Sequence, residues 1–222
     1  VVFSYLYPFS TSFYRKFGYE LGCEKYRYKL KMANLPQEAV SGFCLLAEPE
    51  SGLKEDIRQI DGAWRRRYNL MVIDEDYEWV DKAQPFHDVI YTYVYRNSQG
   101  EPKGYMTYRP VVEEGDRCLE CDRFFFLDGE SFFGLLGLLM SYKSDYSHII
   151  FRLPVEIELG GFLPEWSLGG IEWRREQTGM LRVVHVRKAL SLARMRGTGS
   201  LVLEITDDQI QQNNGRFAVE FC

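Results

Sequence analysis

The sequence predicts an α+β fold built from more than one unit. Three observations carry this. From Asp88 onward the apolar period is two, with turn signals between the segments. Stretches of three-to-four-residue period with capping residues interrupt those strands. Aromatic residues reach 15% of the 222 residues, and strands favour these bulky side chains. A composition of 45% hydrophobic and 27% charged residues is globular and argues against wholesale disorder.

Val1 to Tyr7 alternates as a strand does, and Pro8 interrupts it. Ser10, Thr11 and Ser12 are N-cap candidates for a short helix over Phe13–Phe17, which Gly18 stops as a C′ glycine. Glu20 to Met32 reads as one long strand or a strand pair. Tyr26, Tyr28, Leu30 and Met32 share one face, and Lys25, Arg27, Lys29 and Lys31 the other. Residues 34–53, with Pro36, Gly42, Pro49 and Gly52, form a connector holding a short strand at 42–47. Residues 54–83 carry helical spacing at Ile57, Ile60, Ala63, Trp64, Tyr68 and Met71. Arg65, Arg66 and Arg67 within that helix read as a solvated face, although such a triplet could hold a phosphate.

Residues 89–95 are a strand, Asn97–Gly100 a hairpin turn and residues 102–112 the return strand. The acidic turn Glu113-Glu114-Gly115-Asp116 leads into a strand over 117–127, and Asp128-Gly129-Glu130-Ser131 opens a helix to about Tyr142. A further strand spans 147–153. Glycine-rich loops around short strands follow to 179, then a strand at 181–184, a helix at 186–195 and a strand at 199–206. Asn213-Asn214-Gly215 turns into a last strand at 216–221.

A net charge of -5 excludes a general nucleic-acid binder, which needs a basic face. The longest apolar patch, residues 132–140, is about half of a membrane span. Five cysteines with no secretory signal fit a cytoplasmic, reduced protein. Cys118 and Cys121 have the spacing of a metal or redox pair, but no second pair accompanies them, so they read as half-buried thiols and no metal is expected. His87, His148 and His185 share no motif. The clusters Asp74-Glu75-Asp76 and 113–116 could attract a polycationic amine but read as solvated turns. No GxSxG, HExxH or P-loop motif occurs. Both ends alternate in apolar residues, as would a slice of a longer polypeptide.

The segment Phe13-Tyr14-Arg15-Lys16-Phe17-Gly18-Tyr19-Glu20 resembles the FY-x-x-x-GF/Y signature near the end of the GNAT (Gcn5-related N-acetyltransferase) fold. The later segments DGESFFGLLGLL, HIIFRLP and MLRVVHVRKALSLARMRGTGSLVLEITD follow in an order that resembles the enhanced intracellular survival (Eis) type of acetyltransferase. The resemblance implies that residues 1–33 end a catalytic GNAT domain and that 34–53 connect. Residues 54–175 would form a central GNAT-like domain with a mainly antiparallel sheet and no cofactor site of its own. Residues 180–222 would begin a sterol-carrier-protein-like α+β domain.

The resemblance further implies an N-acetyltransferase in which an amine, such as an aminoglycoside or a lysine side chain, attacks acetyl-CoA directly. Tyr14 would be the general acid at the leaving sulfur, and Phe9 and Ser10 would line the pantetheine arm. The family's pyrophosphate loop has no counterpart here. The nearest basic-glycine stretch, Arg194–Gly199, follows a helix instead of opening one, and an anion site needs the free N–H groups of a helix start. The isolated chain is therefore expected to be inactive. A homo-oligomer is expected. The alternative is a non-catalytic scaffold, an oligomerisation and hydrophobic-ligand-binding module.

Overall fold

A computed structural model describes residues 1–22, 24–48, 51–68, 90–163, 171–177, 179–195 and 197–222. The chain divides into two compact units. One joins Val1–Lys25 to Glu176–Cys222, and the other is Tyr26–Arg175. These limits differ from the expected boundaries at 33 and 180, because pairing across the sequence, not local composition, sets them. The expected helix over 69–83, His87, Cys23, the 74–76 cluster and the loop at 164–170 lie outside the described residues.

The larger unit is a seven-stranded mixed sheet. In sequence order its strands are β3 (Glu24–Lys31), β4 (Phe43–Leu46), β5 (Tyr91–Arg96), β6 (Pro102–Glu113), β7 (Asp116–Phe126), β8 (His148–Pro154) and β9 (Ile171–Gln177). The spatial order is β4-β5-β6-β7-β8-β3-β9. The pairs from β4 to β7 are antiparallel, while β7 and β8 run parallel, in register from Cys118↔His148 to Glu120↔Ile150. A parallel pair needs a crossover, supplied by the helix Gly129–Met140. The second α-helix among the described residues of this unit, Lys54–Arg65, ends before the Arg66-Arg67 pair, and Arg67 donates to the Leu127 carbonyl at 3.0 Å.

Strand alternation puts the two helices on opposite faces. Tyr105 donates to Asp61 of the 54–65 helix at 2.7 Å and stacks on Phe125, whose ring meets Trp64 edge-on. On the other face the 129–140 helix presses so closely that a Cβ at Gly134 would lie 2.2 Å from the Tyr95 ring. Phe132, Leu135, Leu136 and Leu139 are fully buried there. Phe132 meets Phe124 at 5.9 Å and Phe126 at 5.0 Å between ring centroids.

β3 is buried on both faces, where the sequence suggested a basic outer one. Tyr28 and Leu30 join the core, yet Arg27 and Lys29 are also buried, at 5% and 2% exposure. The turn joining β6 to β7 explains this. Glu113 pairs with Arg27, and Lys29 lies 3.1 Å from Asp116 and 3.7 Å from Glu114. Burial opposes the charge on Lys29, but the hydrogen bond to Asp116 and the Glu172 and Asp116 charges outweigh it, and its pKa is raised. The 113–116 cluster, read as a solvated turn, thus neutralises the chain's own cations.

The smaller unit holds β1 (Phe3–Leu6), α1 (Thr11–Arg15), β2 (Glu20–Leu21), β10 (Met180–Val183), a helix at Val186–Leu192, and β11 (Gly199–Ile205) with β12 (Gly215–Phe221). β10 lies between β1 and β2, antiparallel to both. β11 and β12 form an antiparallel hairpin from Gly199↔Phe221 to Ile205↔Gly215. Gly18 has φ +75°, in the left-handed region, and a Cβ there would also fall 2.4 Å from the Arg182 guanidinium. Arg182 is held by Asp207 at 2.6 Å, and Asp207 accepts from Asn213 at 2.8 Å.

Two substitutions test this packing. Phe132→Ala removes a fully buried ring and lowers stability by about 3–5 kcal/mol in urea unfolding. Gly18→Ala costs about 1–2 kcal/mol for the left-handed backbone alone; an unchanged unfolding midpoint would show that the bend relaxes freely.

Candidate functional site

The candidate site is built on the turn from β1 through α1 to β2. Ser10 is the N-cap of α1: its backbone is extended and its Oγ accepts from the Phe13 N–H at 3.4 Å. Ser10 Oγ also lies 3.1 Å from Ser12 Oγ. At the far end, the Tyr14 carbonyl accepts from the N–H groups of Phe17 and Tyr19 at 2.9 and 3.3 Å, and the chain reverses at Gly18. Arg15 and Glu20 close the bend with a two-point ion pair, Nε to Oε2 at 2.9 Å and Nη2 to Oε1 at 2.7 Å. The hydrogen bond from Arg15 holds the Glu20 pKa down to about 2. Both groups are exposed, so the pair shapes the turn more than it stabilises the fold.

Tyr14 is half-buried among rings. Phe9, Phe13 and Tyr19 lie 5.4, 5.2 and 5.9 Å from it, all near edge-on. Among the described residues its hydroxyl has no hydrogen-bond partner. The neighbouring Tyr19 hydroxyl, by contrast, is 2.7 Å from Ser4 Oγ. Phe9 is 79% exposed, with its ring also 5.2 Å from Phe13. The three residues singled out in the sequence therefore share one short segment, with a phenol free to bond to a guest and an aromatic surface beside it.

Sequence reasoning missed the support beneath this segment. Arg182, on β10, lies against the Gly18 bend, and Asp207 holds it while also accepting from the N–H groups of Gln209 and Ile210 at 3.0 and 2.9 Å. These bonds outweigh burial and keep the Asp207 carboxyl well below its ordinary range. No local pattern links position 18 to positions 182 and 207; only the sheet pairing does.

The larger unit has its own helix start after a parallel-sheet strand, the place where an anion would be held. It is occupied from within. Asp128 Oδ1 accepts from the Ser131 N–H at 2.8 Å, and Ser131 Oγ lies 3.2 Å from the Asp128 N–H, a reciprocal capping box. Glu130 adds a carboxylate that accepts from Ser41 Oγ at 2.6 Å and from Tyr95 at 3.0 Å. Beside it, Phe124 stacks on Phe151 with centroids 4.9 Å apart. This helix start presents negative charge and packed rings.

The remaining candidates have structural roles. Cys118 and Cys121 sit three apart on β7 and point to opposite faces, both buried, so they cannot share a metal ion. Burial raises both thiol pKa values. His148 Nδ1 lies 2.8 Å from Ser147 Oγ and 3.4 Å from Asp116, and His185 Nδ1 caps the 186–192 helix by accepting from Lys188 N–H. No described helix is long and apolar enough to cross a membrane.

Comparison with known proteins places the chain in a family. Residues 62–183, more than half of the chain, match the model of the acetyltransferase (GNAT) domain. No curated protein matches the chain. Among solved structures it is similar to a GCN5-related N-acetyltransferase from Anabaena variabilis, with TM-score 0.78, 19% identity and coverage of 100% of this chain and 56% of that one. A conserved protein of unknown function from Enterococcus faecalis gives TM-score 0.76 at 22% identity, covering 99% and 55%. Eis1 from Mycobacterium abscessus gives 0.69 at 19% identity, covering 98% and 56%. The chain thus spans little more than half the length of these structures, and at such identities the likeness is one of fold. The family match over most of the larger unit is decisive: the chain belongs to the GNAT acetyltransferase family.

Proposed function

We propose that this chain forms part of an acetyl-CoA-dependent N-acetyltransferase acting on an amine, an aminoglycoside or a lysine side chain, with Tyr14 as the general acid. The observation that carries the reading is the half-buried Tyr14 hydroxyl, left without a partner among the described residues on a segment that Gly18 bends back. The amine attacks the thioester carbonyl, and backbone N–H groups stabilise the oxyanion. The thiolate then leaves toward the phenol. A phenol near 10 gives its proton to the conjugate base of a thiol near 8.5 uphill by about 2 kcal/mol, so the hydroxyl acts mainly by hydrogen bonding as charge develops. Phe9 and the Ser10 backbone line the pantetheine arm in this reading.

The larger unit serves as a GNAT-like body without a cofactor site. Support for this comes from the Asp128 cap and the Glu130 charge, which repel a pyrophosphate. The residues from 180 onward begin a sterol-carrier-like domain, and the whole protein works as a cytoplasmic homo-oligomer. A second reading, a scaffold with a hydrophobic-ligand module, draws support from the β11–β12 hairpin. Leu201, Leu203, Ile205, Phe217, Val219 and Phe221 line one of its faces and are only partly buried.

Two measurements separate these readings. Coenzyme A release from acetyl-CoA with amine acceptors, assayed on a longer polypeptide that contains this chain and is active, falls at least about tenfold in Tyr14→Phe, the usual scale of general-acid loss; an unchanged rate removes Tyr14 from the chemistry. Calorimetric titration of this chain with acetyl-CoA yields no micromolar binding, and a micromolar signal would refute the internally plugged helix start as the reason for silence.

A further inference from the structure

A cavity lies in the larger unit, at the start of β7, whereas the 129–140 helix begins beyond the end of that strand. Period two along β5 turns Tyr91, Tyr93 and Tyr95 to one face. Tyr95 packs under the helix, and the other two meet Tyr108 of β6. Tyr91 and Tyr108 stack at 5.4 Å with 24° between planes, and Tyr93 and Tyr108 at 6.2 Å with 12°. Tyr142, just past the helix, meets Tyr108 at 6.2 Å between ring centroids. Burial, first of all, raises the Tyr93 pKa to about 12 and the Tyr108 pKa further, so this wall stays neutral.

The cavity measures about 310 Å³, and Leu119, Arg117 and Asp145 are among its lining residues. The Arg117 guanidinium stands 5.0 Å from the Tyr146 ring centroid. Among the described residues neither Arg117 nor Asp145 has an ion-pair partner, although one carries each sign of charge. The size is that of a small ligand. A guanidinium seated on a ring keeps its planar fork for a carboxylate. A single carboxylate with tyrosine faces beside it suits an ammonium.

We propose that this cavity binds a small zwitterion with a planar ring, an aromatic α-amino acid. Its carboxylate meets Arg117, its ammonium Asp145, and its ring the Tyr91–Tyr108 wall. The site makes no use of Tyr14 or of acetyl-CoA, so it stands or falls independently of the acetyltransferase reading.

The test titrates the full chain with L-phenylalanine by calorimetry, alongside L-alanine, phenethylamine and 3-phenylpropionate. Phenylalanine gives saturable binding with a Kd of about 1 mM, the range expected for so small a ligand, and each of the other three binds at least about tenfold more weakly. Arg117→Gln weakens phenylalanine and phenylpropionate but not phenethylamine, and Asp145→Asn weakens phenylalanine and phenethylamine but not phenylpropionate. Both positions are exposed, so the variants keep the parent melting temperature; if either unfolds, the ligand series on the parent chain decides alone. Absence of saturable phenylalanine binding to about 20 mM, twenty times the expected Kd, or equal binding of all four compounds overturns the proposal.

Discussion

Two cations on a strand covered from both sides set the conditions for the larger unit. Burying an unpaired charge costs several kcal/mol, so Arg27 and Lys29 can sit inside only where carboxylates reach them. The β6–β7 turn supplies those carboxylates, and with them it is fixed over β3. Glu114 adopts φ 53° and Gly115 φ 87°, the tight left-handed pair that lets two long strands reverse at that spot. One electrostatic requirement thereby ties an early strand to a hairpin almost ninety residues later, and it explains why β3 takes its place beside β8.

The two units treat the beginning of a helix in opposite ways. In the smaller one, α1 is short, capped weakly by Ser10 and surrounded by aromatic rings that remain partly open to solvent. In the larger one, the Gly129–Met140 helix is capped by a carboxylate, braced by Glu130 and backed by phenylalanines with no solvent exposure to speak of. The first arrangement leaves groups available to a guest. The second turns the Ser131 and Phe132 N–H groups back onto Asp128.

Local signals in the sequence carried most of the strands and the Gly18 bend, because these depend on period and backbone sterics, but the helices at 54–65 and 186–192 stop short of the ends their spacing suggested. The Phe9–Tyr14 segment was singled out by its resemblance to the GNAT signature, with Ser10 among the N-cap candidates. The burial of Lys29 was not, since alternation separates the two faces of a strand but does not say what covers each. Arg182 and Asp207 were invisible for want of any pattern linking them to position 18. The tyrosines at 91, 93, 108 and 142 were each visible as strand or helix residues, and only the sheet register assembled them into one wall.

The capping box at Asp128 bears on how such a domain can diverge. Removing the aspartate would free one N–H but leave Glu130 anchored to Ser41 and Tyr95 and the phenylalanine stack intact. Several independent changes would be needed at once before an anion gained anything, and each alone would only weaken the fold.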